Sequence, residues 1–186
     1  MKRFLYTLLI ICFCTALILY FKTYAITNNK EQLESNIKHF INNNEPIVKV
    51  NNITIRKQID IDNKKLVLYG INNKSLGIAE LSRGVNCRYR VHKTHKCTGC
   101  IEYENCKTNK GKYLVISGKN CDNNIAYIKV SLGRKKHKLN IPRGRYFLVK
   151  CKLSSKHSDE IVNNDIVVYN KNNINITNKI FDISFQ

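Results

Sequence analysis

The chain has 186 residues and carries 32 Lys and Arg residues against 13 Asp and Glu residues, a formal net charge of +19 at pH 7. This length suits one domain with a self-supporting core, and the charge attracts polyanions. The scarcity of carboxylates and the absence of GxSxG, HExxH, P-loop and GxGxxG motifs argue against the common enzyme classes, so we expect a non-enzymatic protein.

The first predicted element is an N-terminal signal anchor over residues 1–25. Residues 4–21, FLYTLLIICFCTALILYF, contain no charged side chain. As a transmembrane helix they would be about 27 Å long, close to the roughly 30 Å of a hydrocarbon core. A signal peptide cleaved after Ala25 is the alternative, because Thr23 and Ala25 are small residues at suitable positions. The apolar core exceeds the usual length of about 7–15 residues, which favours an uncleaved anchor.

Charges on both sides of the span bear on its orientation. Lys2 and Arg3 precede it, and Lys22, Lys30 and Lys38 follow it. The flanking charges therefore nearly balance. A short leader before a long apolar run is typical of an export signal, and long domains translocate despite their charge. We expect a single-pass protein of the cell membrane, with its N-terminus in the cytoplasm and its C-terminal domain outside.

Residues 26–46 are predicted to be a helical stalk or linker. Leu33, Ile37 and Ile41 recur at helical spacing, and Asn28 with Glu31 resembles a capping box. The helix is expected from Asn28 to Asn42. It is either a stalk or the first element that packs on the domain.

From residue 47 the pattern changes to short strands. Apolar residues alternate in NITIRKQIDI, and further candidate strands are IVKV, KLVLYGI, SLGIAEL, CRYRV, KYLVIS, NIAYIKVSL, KLNI, RYFLVKCKL, DIVVY and KIFDISF. Asn, Gly, Asp and Lys fill the breaks and tolerate turns. Residues 47–186 are therefore predicted to form a mainly β extracytoplasmic domain, a β-sandwich or barrel-like fold of about nine short antiparallel strands.

Six cysteines belong to this domain, most of them in a predicted cysteine-rich insertion over residues 87–121. They are Cys87, Cys97, Cys100, Cys106, Cys121 and Cys151. Outside the cytoplasm, six cysteines predict up to three disulfides, each of which adds about 2–4 kcal/mol of stability. This interpretation requires no cofactor.

The run HKTHKCTGCIEYENC supports an alternative, a zinc-binding domain. Its candidate ligands are His92, His95, Cys97, Cys100 and Cys106, which are residue types that zinc prefers. Only one CxxC pair is present, and no second pair follows at the spacing of a standard zinc finger. A thiol enzyme centred on Cys97 and Cys100, or on Cys151, is a third hypothesis. It would require an environment that lowers the thiol pKa.

Basic side chains form local clusters in the sequence. The candidates for polyanion binding are Arg88, Arg90, Arg134, Lys135, Lys136, Lys138, Arg143 and Arg145. If they share a face, they can bind phosphate-rich polymers through counterion release. Anionic cell-envelope polymers, lipid headgroups or another envelope protein are the expected partners. Nucleic acid is not expected, because neither an aromatic sheet motif nor a recognition helix is evident. A solvated, lysine-rich surface without a ligand is the simpler interpretation.

Three segments carry a resemblance to known proteins: GIAELSRGVNCRYRV, KYLVISGKN and IPRGRYFLV. Over about residues 65–150 the chain resembles a group of small single-pass proteins from low-GC Gram-positive bacteria. The resemblance implies an N-terminal anchor and a β-rich exterior domain, and it carries over no catalytic residue. The leading hypothesis is thus a membrane-anchored extracytoplasmic interaction domain.

Overall fold

The computed structural model describes residues 2–44, 49–72, 74–120, 124–132, 135–153 and 166–182. Its helices are α1 (Lys2–Thr23), α2 (Lys30–Asn44) and α3 (Thr177–Asp182). Its strands are β1 (Ile53–Ile61), β2 (Lys64–Ile71), β3 (Ser75–Arg83), β4 (Tyr89–Lys96), β5 (Ile101–Thr108), β6 (Gly111–Lys119), β7 (Ile125–Leu132), β8 (Lys135–Asn140), β9 (Tyr146–Lys152) and β10 (Ile166–Asn170). The prediction of a mainly β fold behind an apolar helix and a short helix is confirmed.

The strands form three antiparallel sheets that stack in layers. Sheet A has the order β1-β2-β3-β4, sheet B the order β5-β6-β9, and sheet C the order β10-β7-β8. Sheets A and B share a core that includes Leu68 and Val115. The opposite face of sheet B packs on sheet C in a core that includes Ile116 and Ile128. Within the described ranges no sheet closes on itself, so the fold is a stack of sheets and not a barrel.

Strand β2 lies in the middle of this arrangement and is covered on both faces. Residues 65–70 are all buried. Val67 and Tyr69 belong to the core beneath α2, whereas Leu66 and Leu68 belong to the core facing sheet B. A strand covered on both faces has a nearly continuous apolar sequence. This explains why residues 66–70, LVLYG, contain no charged side chain.

Helix α2 packs on sheet A. Its buried residues Leu33, Ile37 and Ile41 form one core with residues of β1, β2 and β3. Apolar residues three and four apart form a single helical stripe, which needs an apolar surface to cover it. The outer face of sheet A provides that surface. Residues 30–44 are therefore an element of the domain.

The start of α2 differs by one residue from the expected cap. The side-chain oxygen of Asn29 accepts hydrogen bonds from the backbone nitrogens of Glu31 (2.8 Å) and Gln32 (3.3 Å). The Gln32 side chain in turn accepts a hydrogen bond from the backbone nitrogen of Thr27 (2.7 Å). Asn29, and not Asn28, is thus the capping residue, and Gln32 bonds to Thr27 in place of the reciprocal contact of a capping box.

Helix α1 extends away from the sheets. Arg3–Thr23 is long and apolar enough to cross a membrane, and none of it is buried in the protein. Its exposed apolar side chains include Phe4, Ile10 and Phe21. A soluble helix that was apolar on all sides would leave this surface in water at a large cost in free energy.

A compact junction connects α1 to the domain. The Tyr20 hydroxyl accepts a 2.6 Å hydrogen bond from the backbone nitrogen of Val85, and the Tyr20 and Tyr24 rings stack at 4.9 Å. Ile26 then pairs with Tyr89 through two backbone hydrogen bonds of 3.1 and 2.8 Å. The chain thus passes from the apolar helix directly into contact with sheet A.

Two elements differ from the sequence-based expectation. The segment KIFDISF was predicted as a strand, but Thr177–Asp182 forms α3, whose Ile180 and Phe181 pack on the core between sheets B and C. Residues 183–186 lie outside the described ranges. Strand β5, IEYENCKT, was not predicted because it contains two glutamates and few branched residues. The segment 87–121, expected as an insertion, supplies β4 to sheet A and β5 and β6 to sheet B.

Candidate functional site

The outer face of sheet C carries lysines beside a pair of tyrosines. We call this surface the sheet C face and define it by Tyr127, Lys129, Lys136, Lys138 and Tyr169. Side chains alternate along β7, and Ile128, Val130 and Leu132 enter the core shared with sheet B. The strand register places Lys138 opposite Lys129 on one side of β7 and Tyr169 opposite Tyr127 on the other. Residues from three strands therefore meet on one surface.

The two tyrosine rings hold the lysines in place. The Tyr127 and Tyr169 rings stack at 4.8 Å with an interplanar angle of 13°. The Lys138 ammonium lies 4.1 Å from the centre of the Tyr127 ring, and the Lys129 ammonium lies 4.7 Å from that of Tyr169. Because β7 lies between β10 and β8, Tyr127 stands between Tyr169 and Lys138. Cation–π attraction thus orders the ammonium groups and leaves their charge unneutralised.

No carboxylate offsets this charge within the sheet. Asp182 is the only acidic residue among the described residues of 124–182. Lys129, Lys136 and Lys138 form no ion pair with any carboxylate in the described part of the chain. Lys136 and Lys138 are exposed on β8, and two residues along a strand span about 7 Å. The two exposed ammonium groups therefore form a short positive row along β8.

The structure divides the predicted polyanion-binding residues among several places. Lys136 and Lys138 lie on the sheet C face, and Lys135 is exposed at the start of β8. Arg143 lines a cavity of about 220 Å³ together with Lys171. Arg145 lies over the Tyr146 ring at 5.7 Å. Arg134 is outside the described residues.

Arg88 and Arg90 lie at a second basic surface, near the end of α1. Arg88 is exposed in the loop between β3 and β4. The Arg90 guanidinium lies 5.2 Å from the centre of the Tyr24 ring. The eight candidates therefore do not form one continuous site.

Sequence reasoning missed Tyr127, Lys129 and Tyr169. The alternation in NIAYIKVSL does place Tyr127 and Lys129 on the same side of a strand, so that part of the signal was present. Tyr169 joins them only because β10 pairs with β7, more than 35 residues earlier in the sequence. The pairing of two such distant strands is not visible in the sequence of neighbouring residues.

Three of the seven described cysteines are buried: Cys97, Cys106 and Cys151. Burial, with the nearby charges of Glu102 and Glu104, raises the pKa of Cys97 to about 12. Burial, with Glu80 and Glu104, raises that of Cys106 to about 11. Burial also raises the pKa of Cys151. These thiols hold their protons near neutral pH, whereas nucleophilic catalysis needs a thiolate.

The predicted disulfide partners are spread over different parts of the fold. Cys97 and Cys106 lie between sheets A and B, Cys151 lies in the core between sheets B and C, and Cys87 is exposed in the loop before β4. Cys100 is half-buried, and Cys121 lies outside the described residues. No disulfide joins the described cysteines, so the disulfide framework stays a prediction.

The geometry gives the predicted zinc site no support. In the part of the chain that the structure describes, no three His, Cys, Asp or Glu side chains converge as metal ligands. His92 is exposed on β4. The His95 ring nitrogen lies 3.9 Å from a Glu104 oxygen, and Cys97 and Cys106 are buried as protonated thiols beneath the strand.

Comparison with known proteins adds no relative. No protein-family model matches the chain, and no curated protein or solved structure is similar to it.

Proposed function

We propose that this protein is a membrane-anchored domain that binds anionic polymers outside the cytoplasm through the sheet C face. One observation carries the proposal: lysines ordered by a stacked tyrosine pair, on a sheet whose described residues offer no acid to neutralise them. The apolar helix Arg3–Thr23 supports the anchor. The short basic leader before it supports an outward-facing domain.

The chemistry of the sheet C face favours repeated phosphate or carboxylate groups. Lysine ammonium groups act as point charges that bind such groups without fixed geometry, and each contact releases counterions from the polymer. The lysine positions are set before binding by the rings beneath them. Less side-chain entropy is therefore lost on association than for unrestrained lysines.

Single-stranded nucleic acid differs from such a polymer in that it binds largely by base stacking on aromatic rings. The two faces of Tyr127 are occupied by Tyr169 and Lys138. A base would have to displace one of them. The arrangement therefore favours electrostatic binding to a polymer without bases.

Binding can be measured with the full-length chain in nanodiscs of neutral lipid, with inorganic polyphosphate as the probe. Lys129→Gln combined with Lys138→Gln should weaken binding by at least tenfold at low salt and reduce the slope of log K against log salt by about two. Lys57→Gln combined with Lys74→Gln removes the same charge from exposed positions in β1 and in the turn between β2 and β3, and it is the matched control. Equal losses for both double variants would overturn the assignment to sheet C. Tighter, salt-insensitive binding of a single-stranded oligonucleotide would indicate stacking in place of electrostatics.

The side of the membrane can be tested through Cys87, which is exposed. A membrane-impermeant maleimide applied to intact cells of a single-membrane bacterial host should label the chain. Cys87→Ser should remove most of that label, which separates Cys87 from the other cysteines. Labelling that appears only after lysis would place the domain inside and contradict the proposed location.

A further inference from the structure

The loop between β3 and β4 lies beside the end of the apolar helix. Its residue Val85 is 92% exposed, although its backbone nitrogen donates a hydrogen bond to the Tyr20 hydroxyl. Tyr20 is three residues before the end of α1 at Thr23, or about 4.5 Å along the helix axis. A loop bonded to Tyr20 therefore lies beside the last turn of α1. If α1 spans a bilayer, Val85 lies at the depth where tyrosine rings prefer to be, the membrane interface.

Cationic side chains surround this loop. Lys22 is in the last turn of α1, Arg88 is in the loop itself, and Arg90 follows on β4. A cavity of about 390 Å³ lies between α1, α2 and β4, and its lining includes Lys22 and Arg90 but no acidic residue. None of the three cations forms an ion pair with a carboxylate in the described ranges.

The C-terminal ends of α1 and α2 both contribute residues to the cavity lining, and helix C-termini attract positive charge. A helix end carries a charge equivalent to only about −0.5, so the two ends together offset about one of the three cations. Positive charge therefore remains available to a ligand.

We propose that this junction is a second membrane contact, in which Val85 enters the interface and Lys22, Arg88 and Arg90 bind the phosphate groups of anionic phospholipids. The contact rests on the proposed anchoring of α1. The Arg90 guanidinium lies over the Tyr24 ring, and a guanidinium group can form bidentate contacts with phosphate. Each cation near an anionic surface strengthens the contact roughly fivefold. The contact would fix the orientation of the sheets above the membrane.

The depth of Val85 can be measured directly, because the chain contains no tryptophan. Val85→Trp in the full-length chain provides a single fluorophore, and Ile174→Trp provides the control at an exposed apolar position in the turn after β10. In nanodiscs that contain chain-brominated lipid, we expect quenching and a blue-shifted emission for the first variant and neither for the second. Equal emission and no quenching in both would overturn the insertion of Val85.

The role of the cations can be measured with the same fluorophore. Adding phosphatidylglycerol to neutral nanodiscs should increase the quenching of the Val85→Trp chain. Arg88→Gln combined with Arg90→Gln should remove that dependence, whereas Lys136→Gln combined with Lys138→Gln should preserve it at the same net charge. If phosphatidylglycerol still increases the quenching in the Arg88→Gln and Arg90→Gln double variant, the proposed contact of the arginines with lipid headgroups is wrong.

Failure of the anchor would give a different result. A chain that does not enter nanodiscs at all, as judged by co-migration with them in size-exclusion chromatography, contradicts the anchoring itself. A chain that enters but shows no quenching at position 85 contradicts only the second contact. The polyphosphate experiment on the sheet C face is independent of both.

Discussion

The ammonium of Lys93 lies 3.1 Å from a carboxylate oxygen of Glu104, and this ion pair joins β4 of sheet A to β5 of sheet B. The same ammonium lies 3.5 Å from Glu80, which also pairs with Lys64 at 2.8 Å. Glu80 and Glu104 are largely buried, with side chains only 7% and 11% exposed. The contact between the two sheets therefore contains an ionic cluster as well as an apolar core. Removing one member of such a cluster lowers the free energy of unfolding strongly, because its partner is left as a buried charge without a counterion.

Removing one member of this cluster should destabilise the domain. Glu80→Gln leaves Lys64, itself mostly buried, without its carboxylate, and we expect the free energy of unfolding to fall by about 3 kcal/mol. Glu34→Gln is the control, because its pair with the exposed Lys30 is long (3.9 Å) and the Gln carbonyl can still accept the hydrogen bond from Ile55. That change should cost about 0.5 kcal/mol or less. Urea unfolding of the full-length chain in detergent measures both, and equal losses would mean that the cluster is not buried in solution.

The stability of the domain should fall at alkaline pH. The raised pKa values of Cys97 and Cys106 keep both thiols protonated in the folded state, while in the unfolded chain they ionise near pH 9. Burial lowers the pKa of Lys93, but Glu104 and Glu80 outweigh it and the net shift is upward. All three groups therefore stabilise the fold at lower pH and lose that effect as pH rises through their folded pKa values.

Unfolding measured at pH 7, 9 and 10.5 checks this expectation. Between pH 9 and 10.5 each buried thiol should remove about 1.5 kcal/mol of stability. Cys97→Ala lowers the stability at every pH, but its stability should fall less steeply above pH 9. A slope that Cys97→Ala leaves unchanged would show that this thiol ionises freely in the folded protein.

The thiols should differ strongly in reactivity. Cys87 is exposed, whereas Cys97, Cys106 and Cys151 are buried with raised pKa values. Iodoacetamide at pH 8 should therefore modify Cys87 first and the other three only in denaturant, as followed by peptide mass spectrometry. Modification of Cys97 at the rate of Cys87 in the folded chain would revive the thiol-enzyme hypothesis. Resistance of Cys87 to modification until a reductant is added would instead indicate a disulfide.

Helix α2 should contribute to the stability of the sheets. Ile37 is fully buried between α2 and sheet A, so Ile37→Ala should cost about 2–5 kcal/mol. Ser35→Ala on the exposed side of the same helix should change the stability by about 0.5 kcal/mol or less. The two variants are compared by urea unfolding. A cost below about 1 kcal/mol for Ile37→Ala would mean that α2 is a stalk.

Much of the fold could be predicted because its signals are local. The continuous run LVLYG indicates a covered strand, and the spacing of Leu33, Ile37 and Ile41 indicates a helix with one buried face. Strand β5 was not predicted from the sequence, because a glutamate such as Glu104 is typical of a surface position. Its burial is understandable only once its partner Lys93, on another sheet, is known. The end of the chain was misjudged because KIFDISF has a strand-like composition, whereas the packing of Ile180 and Phe181 on the core favours a helix there.

The candidate sites depended more strongly on long-range structure. The amino-acid sequence alone determined the apolar helix, the alternation of the strands and the excess of positive charge, because each is a property of neighbouring residues. Only the tertiary structure decided that Lys129 and Lys138 share a face with Tyr127 and Tyr169, while Arg88 and Arg90 lie beside α1. Strand order brings these residues together or apart, and the pairing of β10 with β7 depends on which surfaces can be buried together in the folded chain. The residues predicted as one polyanion-binding set therefore lie in separate parts of the fold, with Lys136 and Lys138 on the sheet C face and Arg88 and Arg90 near the end of α1.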